Sequence, residues 1–132
     1  MTQRILKSTV LAIHDEQLAE HGGLQGVRDE NCLEAALSRP LNLLAYRDTP
    51  DVFDLAAAYA AGFAQRQYFN DGNKRVSAVV TELFLDLNGF ALTASDQELV
   101  ETWMELAVGG ISDRQLADWL LRHSEPIAFA EQ

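Results

Sequence analysis

Apolar residues recur at spacings of three and four along nearly the whole chain, and the alternation that marks a half-buried strand is rare. That pattern restricts the fold to helices packed on helices. The segment from Val52 to Gln67 carries it most densely, with Leu55, Tyr59, Gly62 and Phe63 on one stripe and six alanines, Ala56, Ala57, Ala58, Ala60, Ala61 and Ala64, between them. Alanine is the best helix former and lets a neighbouring helix approach closely. Punctuation is sparse, with 3 prolines and 8 glycines. Six helices are expected. The first covers residues 9–20, with Ser8 as N-cap and Val10, Leu11 and Leu18 inward. A loop through Gly22, Gly23 and Gly26 follows. The second starts near Asp29 and stops before Pro40, because the residue ahead of a proline avoids helical angles, with Leu33, Ala36 and Leu37 inward. The third is the alanine-rich segment. The fourth follows Asn73 and ends at Asn88-Gly89, a helix stop signal. It carries Val76, Val79, Val80, Leu83, Phe84 and Leu87, so apolar on both faces that it is expected at the centre. Ser95 with Glu98, and Ser112 with Gln115, have the spacing of capping boxes that open the fifth and sixth. The expected class is all-α, a compact bundle of about six helices around a central one, in one domain over residues 1–126 with a frayed tail at 127–132.

The bulk numbers fit one domain. The chain has 132 residues, 48% of them hydrophobic, which supplies a core and excludes disorder. No apolar run reaches the ~18 residues that cross a bilayer, and the first ten residues do not read as a secretory signal. One cysteine, Cys32, rules out an intramolecular disulfide framework and reads as a small buried hydrophobe in a cytoplasmic protein. Ten basic residues against 20 acidic ones give a net charge of −10, opposite to what a nucleic-acid binder carries. Neither nucleic acid nor a membrane is an expected partner.

Polar groups of several chemical kinds gather in one place, Gln67-Tyr68-Phe69-Asn70-Asp71-Gly72-Asn73-Lys74-Arg75, just where the fourth helix begins. The first amides of a helix have no internal partners, and the helix dipole puts partial positive charge there. Asp71-Gly72-Asn73 can turn the chain so that several amides face one anion. Asn70, Gly72, Asn73, Lys74 and Arg75 are the candidate phosphate-binding residues, and Lys74 and Arg75 add full charges. Asp71 is placed to hold Mg²⁺, and Phe69 to anchor the loop in the core. A plain turn and helix cap accounts equally well for this spacing.

The run Phe69 to Arg75, followed by an apolar helix ending in Leu87-Asn88-Gly89, resembles the signature of the Fic/Doc family. His14-Asp15, Gly22-Gly23-Leu24, Gly26 to Arg28-Asp29, Ala36-Leu37 and Arg39-Pro40 are similar to the N-terminal part of its death-on-curing (Doc) toxins. The resemblance spans residues 11–89 and weakens beyond them, although Gly110-Ile111-Ser112 also fits. It implies a bundle of about six helices around a central one. Fic enzymes generally transfer AMP from ATP to a hydroxyl; their motif has Gly where Lys74 stands and a second Arg at the position of Ala78. The lysine form belongs to the Doc toxins, kinases that move the γ-phosphate of Mg-ATP to a threonine of translation elongation factor Tu and halt translation. A Phd-type antitoxin neutralises them, and the edge between the first two helices is a candidate groove for its helix. The resemblance thus implies ATP and Mg²⁺ as cofactors, Asp71 as metal ligand, and Gln67, Asp71, Lys74 and Arg75 as the catalytic set.

One position departs from the family. The motif begins with a histidine, the general base, and this chain has Gln67. An amide hydrogen-bonds but does not titrate near neutral pH. Losing a positioned base typically costs ~10²- to 10⁴-fold in rate while sparing nucleotide binding. Gln67 is either a replacement that disarms the toxin or the residue of a naturally silent member; the otherwise whole motif favours the replacement. AMP transfer and a non-catalytic antitoxin-binding role are the alternatives. No other histidine is a better base. His14 reads as a satisfied structural residue, His21 as lining its glycine loop, and His123 as a cation near the end of the last helix. None are paired at metal-ligand spacing. Arg66 and Arg39 add charge near the site or are ordinary exposed arginines. Trp103 and Trp119 read as core or dimer contacts, and Asp51 and Asp54 as a solvated helix start.

Overall fold

The computed structural model describes residues 2–23, 30–46, 50–65 and 72–127, with side chains described throughout except at 30–32 and 46. Six helices and a short ribbon occur among them: α1 (Lys7–His21), α2 (Glu30–Tyr46), α3 (Val52–Ala64), α4 (Asn73–Leu87), β1 (Phe90–Leu92), α5 (Asp96–Ala107), α6 (Asp113–Arg122) and β2 (Ser124–Pro126). The all-α class therefore holds. Cys32 and the tail at 128–132 fall outside the described side chains, and Ile127 donates its N–H to the Gly89 carbonyl at 2.9 Å.

The central helix is α3, which corrects the expectation that the fourth would be. Every α3 residue from Phe53 to Ala64 is buried, and α2, α4, α5 and α6 all pack on it. Its residues are apolar on every side, six of them alanine, and its one charge, Asp54, sits in the first turn. Small size lets neighbours close in: a methyl built on Gly62 would touch the Ala36 Cβ of α2 at 3.5 Å. α4 instead buries a single face, Val76, Ser77, Val80, Thr81, Phe84 and Leu85, and leaves Leu87 47% exposed. Large apolar residues mark a stripe on α3 as on α4, but in α3 the positions between them are alanine and glycine and no charge follows the first turn, which permits the helix to be enclosed on every side.

Three boundaries differ from expectation. α2 runs straight through Pro40 to Tyr46. Proline removes the hydrogen bond to the carbonyl four residues back, here Ala36, and disfavours helix. Pro40 is nonetheless buried and Leu43, beyond it, packs on the core, so tertiary burial outweighs the local rule. α1 begins two residues early, with Leu6 rather than Ser8 at the N-cap. Ile5 is buried and its N–H donates to the Tyr59 hydroxyl at 3.1 Å, which pins the chain just ahead of the helix. α3 ends at Ala64, three residues short of Gln67.

The capping boxes of α5 and α6 form as expected. Ser95 and Ser112 accept from the N–H of Glu98 and Gln115, whose side chains accept in return from the serine N–H groups. The start of α3 was expected to be solvated and is a third such box: Asp51 and Asp54 cap reciprocally, and buried Asp54 meets Arg114 of α6 at 3.4 Å. β1 and β2 pair antiparallel with Phe90 opposite Pro126, tying the end of α4 to the end of α6. Deep in the core the Ser77 hydroxyl donates to the Ala60 carbonyl at 2.7 Å and accepts from the Trp103 indole N–H at 2.8 Å. Trp103 is thus a core residue that locks α5 onto α4 and α3, and Trp119 packs on it edge to face.

Candidate functional site

α4 starts without a side-chain cap. Its N-cap, Gly72, has φ +83°, in the left-handed region that glycine alone enters at no steric cost. The helical ladder begins where the Val76 N–H meets the Gly72 carbonyl at 2.9 Å, so the amides of the first turn lie ahead of it. No acidic residue occupies that turn. Asn73 is half-buried, Lys74 exposed and Arg75 half-buried.

Arg75 is held from two sides. Its Nη2 donates to the Gly22 carbonyl at a long 3.4 Å, and Gly22 is the C-cap of α1, where the dipole favours a cation. A methyl at position 72 would meet the same Nη2 at 3.7 Å and the His14 Cδ2 at 3.8 Å. The Nε of Arg75 is buried with no hydrogen-bond partner among the described residues. A buried donor without an acceptor is costly, and an anion oxygen would relieve that cost. A left-handed glycine, an uncapped helix start and a partly unsatisfied guanidinium together fit a phosphate group.

Beside the cradle lies a cavity of about 180 Å³ between α4 and α5, lined by Lys74, Arg75, Ala78, Leu99, Val100, Trp103 and Met104. Val100 and Met104 on α5 and Val108 at its C-cap, four residues apart, are all more than half exposed. That spacing is visible in the sequence, yet it reads there as an ordinary helix stripe.

The structure brings together Gly72, Asn73, Lys74 and Arg75. Gln67, Phe69, Asn70 and Asp71, with Arg66, lie outside the described residues, as do Leu24, Gly26 and Arg28-Asp29. Among the described residues no cluster of three or more metal-binding side chains occurs. Arg39 is engaged elsewhere, bound to Asp113 of α6 at 2.8 Å. His21 pairs with Glu20 at the half-exposed end of α1. His123 closes α6, its Nδ1 2.8 Å from the Trp119 carbonyl and its Nε2 3.2 Å from Glu98. His14 is 3% exposed and stands against Gly72, a neighbourhood that sequence separation conceals. None of the described helices is long and apolar enough to cross a membrane.

Comparison with known proteins gives the chain a family. The model of the Fic/DOC family matches residues 4–85, which includes α1 and most of α4. The chain is similar to "Protein kinase doc" of Escherichia phage P1, 34% identical over 120 residues that cover 91% of this chain and 94% of that one. It is also similar to "Toxin Doc" of Mycolicibacterium smegmatis, 38% identical over 74 residues, 55% of this chain and 57% of that one. With more than half its length inside the family match and a relative 34% identical over 91% of it, this chain belongs to the Fic/Doc family.

Proposed function

We propose that this chain is the toxin of a toxin–antitoxin pair, a Doc-type kinase that transfers phosphate from Mg-ATP to a threonine hydroxyl of elongation factor Tu, and that Gln67 disarms it. The observation that carries the reading is the α4 cradle, in which Gly72 opens the helix with no side-chain cap and the buried Nε of Arg75 beside it has no hydrogen-bond partner among the described residues. Likeness over 91% of the chain to a relative named as a protein kinase supports the kinase class.

ATP would supply the phosphoryl group and Mg²⁺ the charge that neutralises its oxygens. In this assignment the first amides of α4, with Asn70, Lys74 and Arg75, hold the phosphates, Asp71 would hold the metal, and Phe69 anchors the loop. The acceptor hydroxyl forms the new P–O bond as the bond to the leaving phosphate oxygen breaks, and its proton must pass to a base. Gln67 can orient the hydroxyl but cannot take that proton, so binding survives and turnover falls. Ala78, where AMP-transferring members carry an arginine, lies in the wall of the cavity next to the cradle and offers no charge to a second phosphate. That favours phosphate over AMP transfer. The implied neutralising partner is a Phd-type antitoxin acting in the cytoplasm, where the elongation factor works. The expected groove, the edge between α1 and α2, includes residues 24–29 and lies partly outside the described residues.

The test is Gln67→His beside the parent chain, each under a tight promoter, with growth and the mass of elongation factor Tu followed together. The histidine form is expected to arrest growth and add a phosphate, with turnover ~10²-fold or more above the parent. An AMP adduct would establish the other transfer. Two harmless forms with unmodified factor would sink the kinase reading and leave a binding module.

A further inference from the structure

We propose that His14 is a positioning residue of the anion cradle, holding Gly72 in its left-handed turn and, through it, Arg75 against the Gly22 carbonyl. The inference rests on the phosphate-binding reading above and adds a residue from another helix to it.

Both supports of the cradle come from α1, eight residues apart and so about two turns along one side of the helix. His14 is buried at 3% exposure, and its Cδ2 stands 3.8 Å from where a Gly72 Cβ would lie. The Arg75 Nη2 lies 3.7 Å from the same point. Gly22, itself left-handed at φ +76°, turns its carbonyl toward that Nη2 at 3.4 Å. The His14 ring and the Arg75 guanidinium thus both lie close to Gly72, and the guanidinium also meets the carbonyl that caps α1. A leucine would fill the volume of His14 without withdrawing two ring nitrogens from water, so hydrophobic packing alone does not account for a histidine there. Arg75 is a long, flexible side chain, and its buried Nε has no partner among the described residues. It presents its donors in one orientation only if its surroundings hold it. A cradle ordered before the anion arrives binds more tightly than one that must order on binding.

The experiment is a double-mutant cycle on the full chain with His14→Ala and Arg75→Ala. Mg-ATP affinity is measured by titration calorimetry, and the Arg75 Nε–Hε cross-peak is followed by NMR in the ligand-free protein. His14→Ala is expected to weaken Mg-ATP roughly tenfold, as loss of one hydrogen-bond-scale restraint on a charged group does, and to move the Arg75 cross-peak. The same change in the Arg75→Ala background should cost clearly less than it does alone, because only the Gly72 turn is then left for His14 to position. An equal fold-loss in both backgrounds, or an Arg75 cross-peak that stays in place, overturns the proposal in favour of a purely structural histidine. If His14→Ala does not fold, His14→Phe, which keeps the ring and removes its nitrogens, and His14→Asn, which keeps a polar group and removes the ring, are judged by the same two readouts. Should the parent chain not bind Mg-ATP, the nucleotide reading fails by itself. The ligand-free Arg75 cross-peak then decides the role of His14: displacement upholds it, and no displacement overturns it.

Discussion

The start of α4 and the starts of α5 and α6 solve one physical problem in opposite ways. Every helix begins with backbone N–H groups that the helix cannot satisfy. α5 and α6 close theirs internally: a serine hydroxyl accepts from one N–H, a Glu or Gln side chain answers in return, and Asp96, Glu98 and Asp113 set negative charge against the positive end of the dipole. α4 has a left-handed glycine, no side-chain cap, no acid in its first turn, and Lys74 and Arg75 in their place. Cations at that end oppose the dipole, so this arrangement costs stability unless an anion joins it. α1 also lacks a side-chain cap, but its start is held by the Ile5 N–H on Tyr59 and includes no glycine turn. A helix start capped by its own side chains is architecture; one that lacks a side-chain cap and carries two cations in its first turn is suited to a ligand.

The sharpest way to break the comparison is Arg75→Ala. If the α4 start is built for an anion, removing the guanidinium should weaken Mg-ATP about 100-fold, the effect of truncating one member of a close charged pair. Stability should not fall with it. Relieving a buried Nε that has no partner among the described residues is expected to raise folding stability by about 1 kcal/mol, read from the thermal midpoint. Loss of affinity together with loss of stability would show that Arg75 is structural. A smaller effect of opposite character belongs to α6. Ser112→Ala removes the oxygen that accepts from Gln115, and it should cost about 1 kcal/mol of stability while leaving Mg-ATP affinity as it was. Any drop in affinity there would blur the line between the two kinds of helix start.

What could be read from the sequence follows the distance over which each feature is decided. The boxes at Ser95–Glu98 and Ser112–Gln115 span three residues and were legible. The Asp51–Asp54 box has the same span, but two acids together looked like solvated charge; the burial of Asp54 depends on Arg114, sixty residues away. Pro40 misled because its local penalty is overridden by packing beyond it. α3 was passed over as the central helix because enclosure depends on what is absent from a helix surface, whereas periodicity counts what is present. The ribbon of β1 and β2 has three residues per strand, too few for a period to register. At the site, Gly72 to Arg75 could be recognised as a motif. The hold of Gly22 on Arg75 joins positions 53 residues apart, and the contact of His14 with Gly72 is equally remote; neither leaves a trace in spacing.

The two complete helix starts also differ from each other, and pH separates them. The α5 box uses a carboxylate, Glu98, and the α6 box a neutral amide, Gln115. Ser95 holds the Glu98 carboxyl below its ordinary range, first through its backbone N–H and then its hydroxyl, with His123 adding a smaller pull. A carboxyl lowered in the folded state contributes stability above its unfolded pKa and loses it as pH falls through the folded value. Glu98→Gln turns the α5 box into a copy of the α6 box, keeping the hydrogen bond and removing the charge. The thermal midpoint of the parent should therefore exceed that of Glu98→Gln by its largest margin at neutral pH. The margin should close as pH drops below the ordinary carboxylate range, while Gln115→Ala keeps a constant deficit across the same window. Glu98 is fully exposed, so the margin should be small and shrink further with added salt. A margin that instead widened toward acid would mean that the helix start of α5 draws nothing from its charge, and that geometry alone, as in α6, completes both.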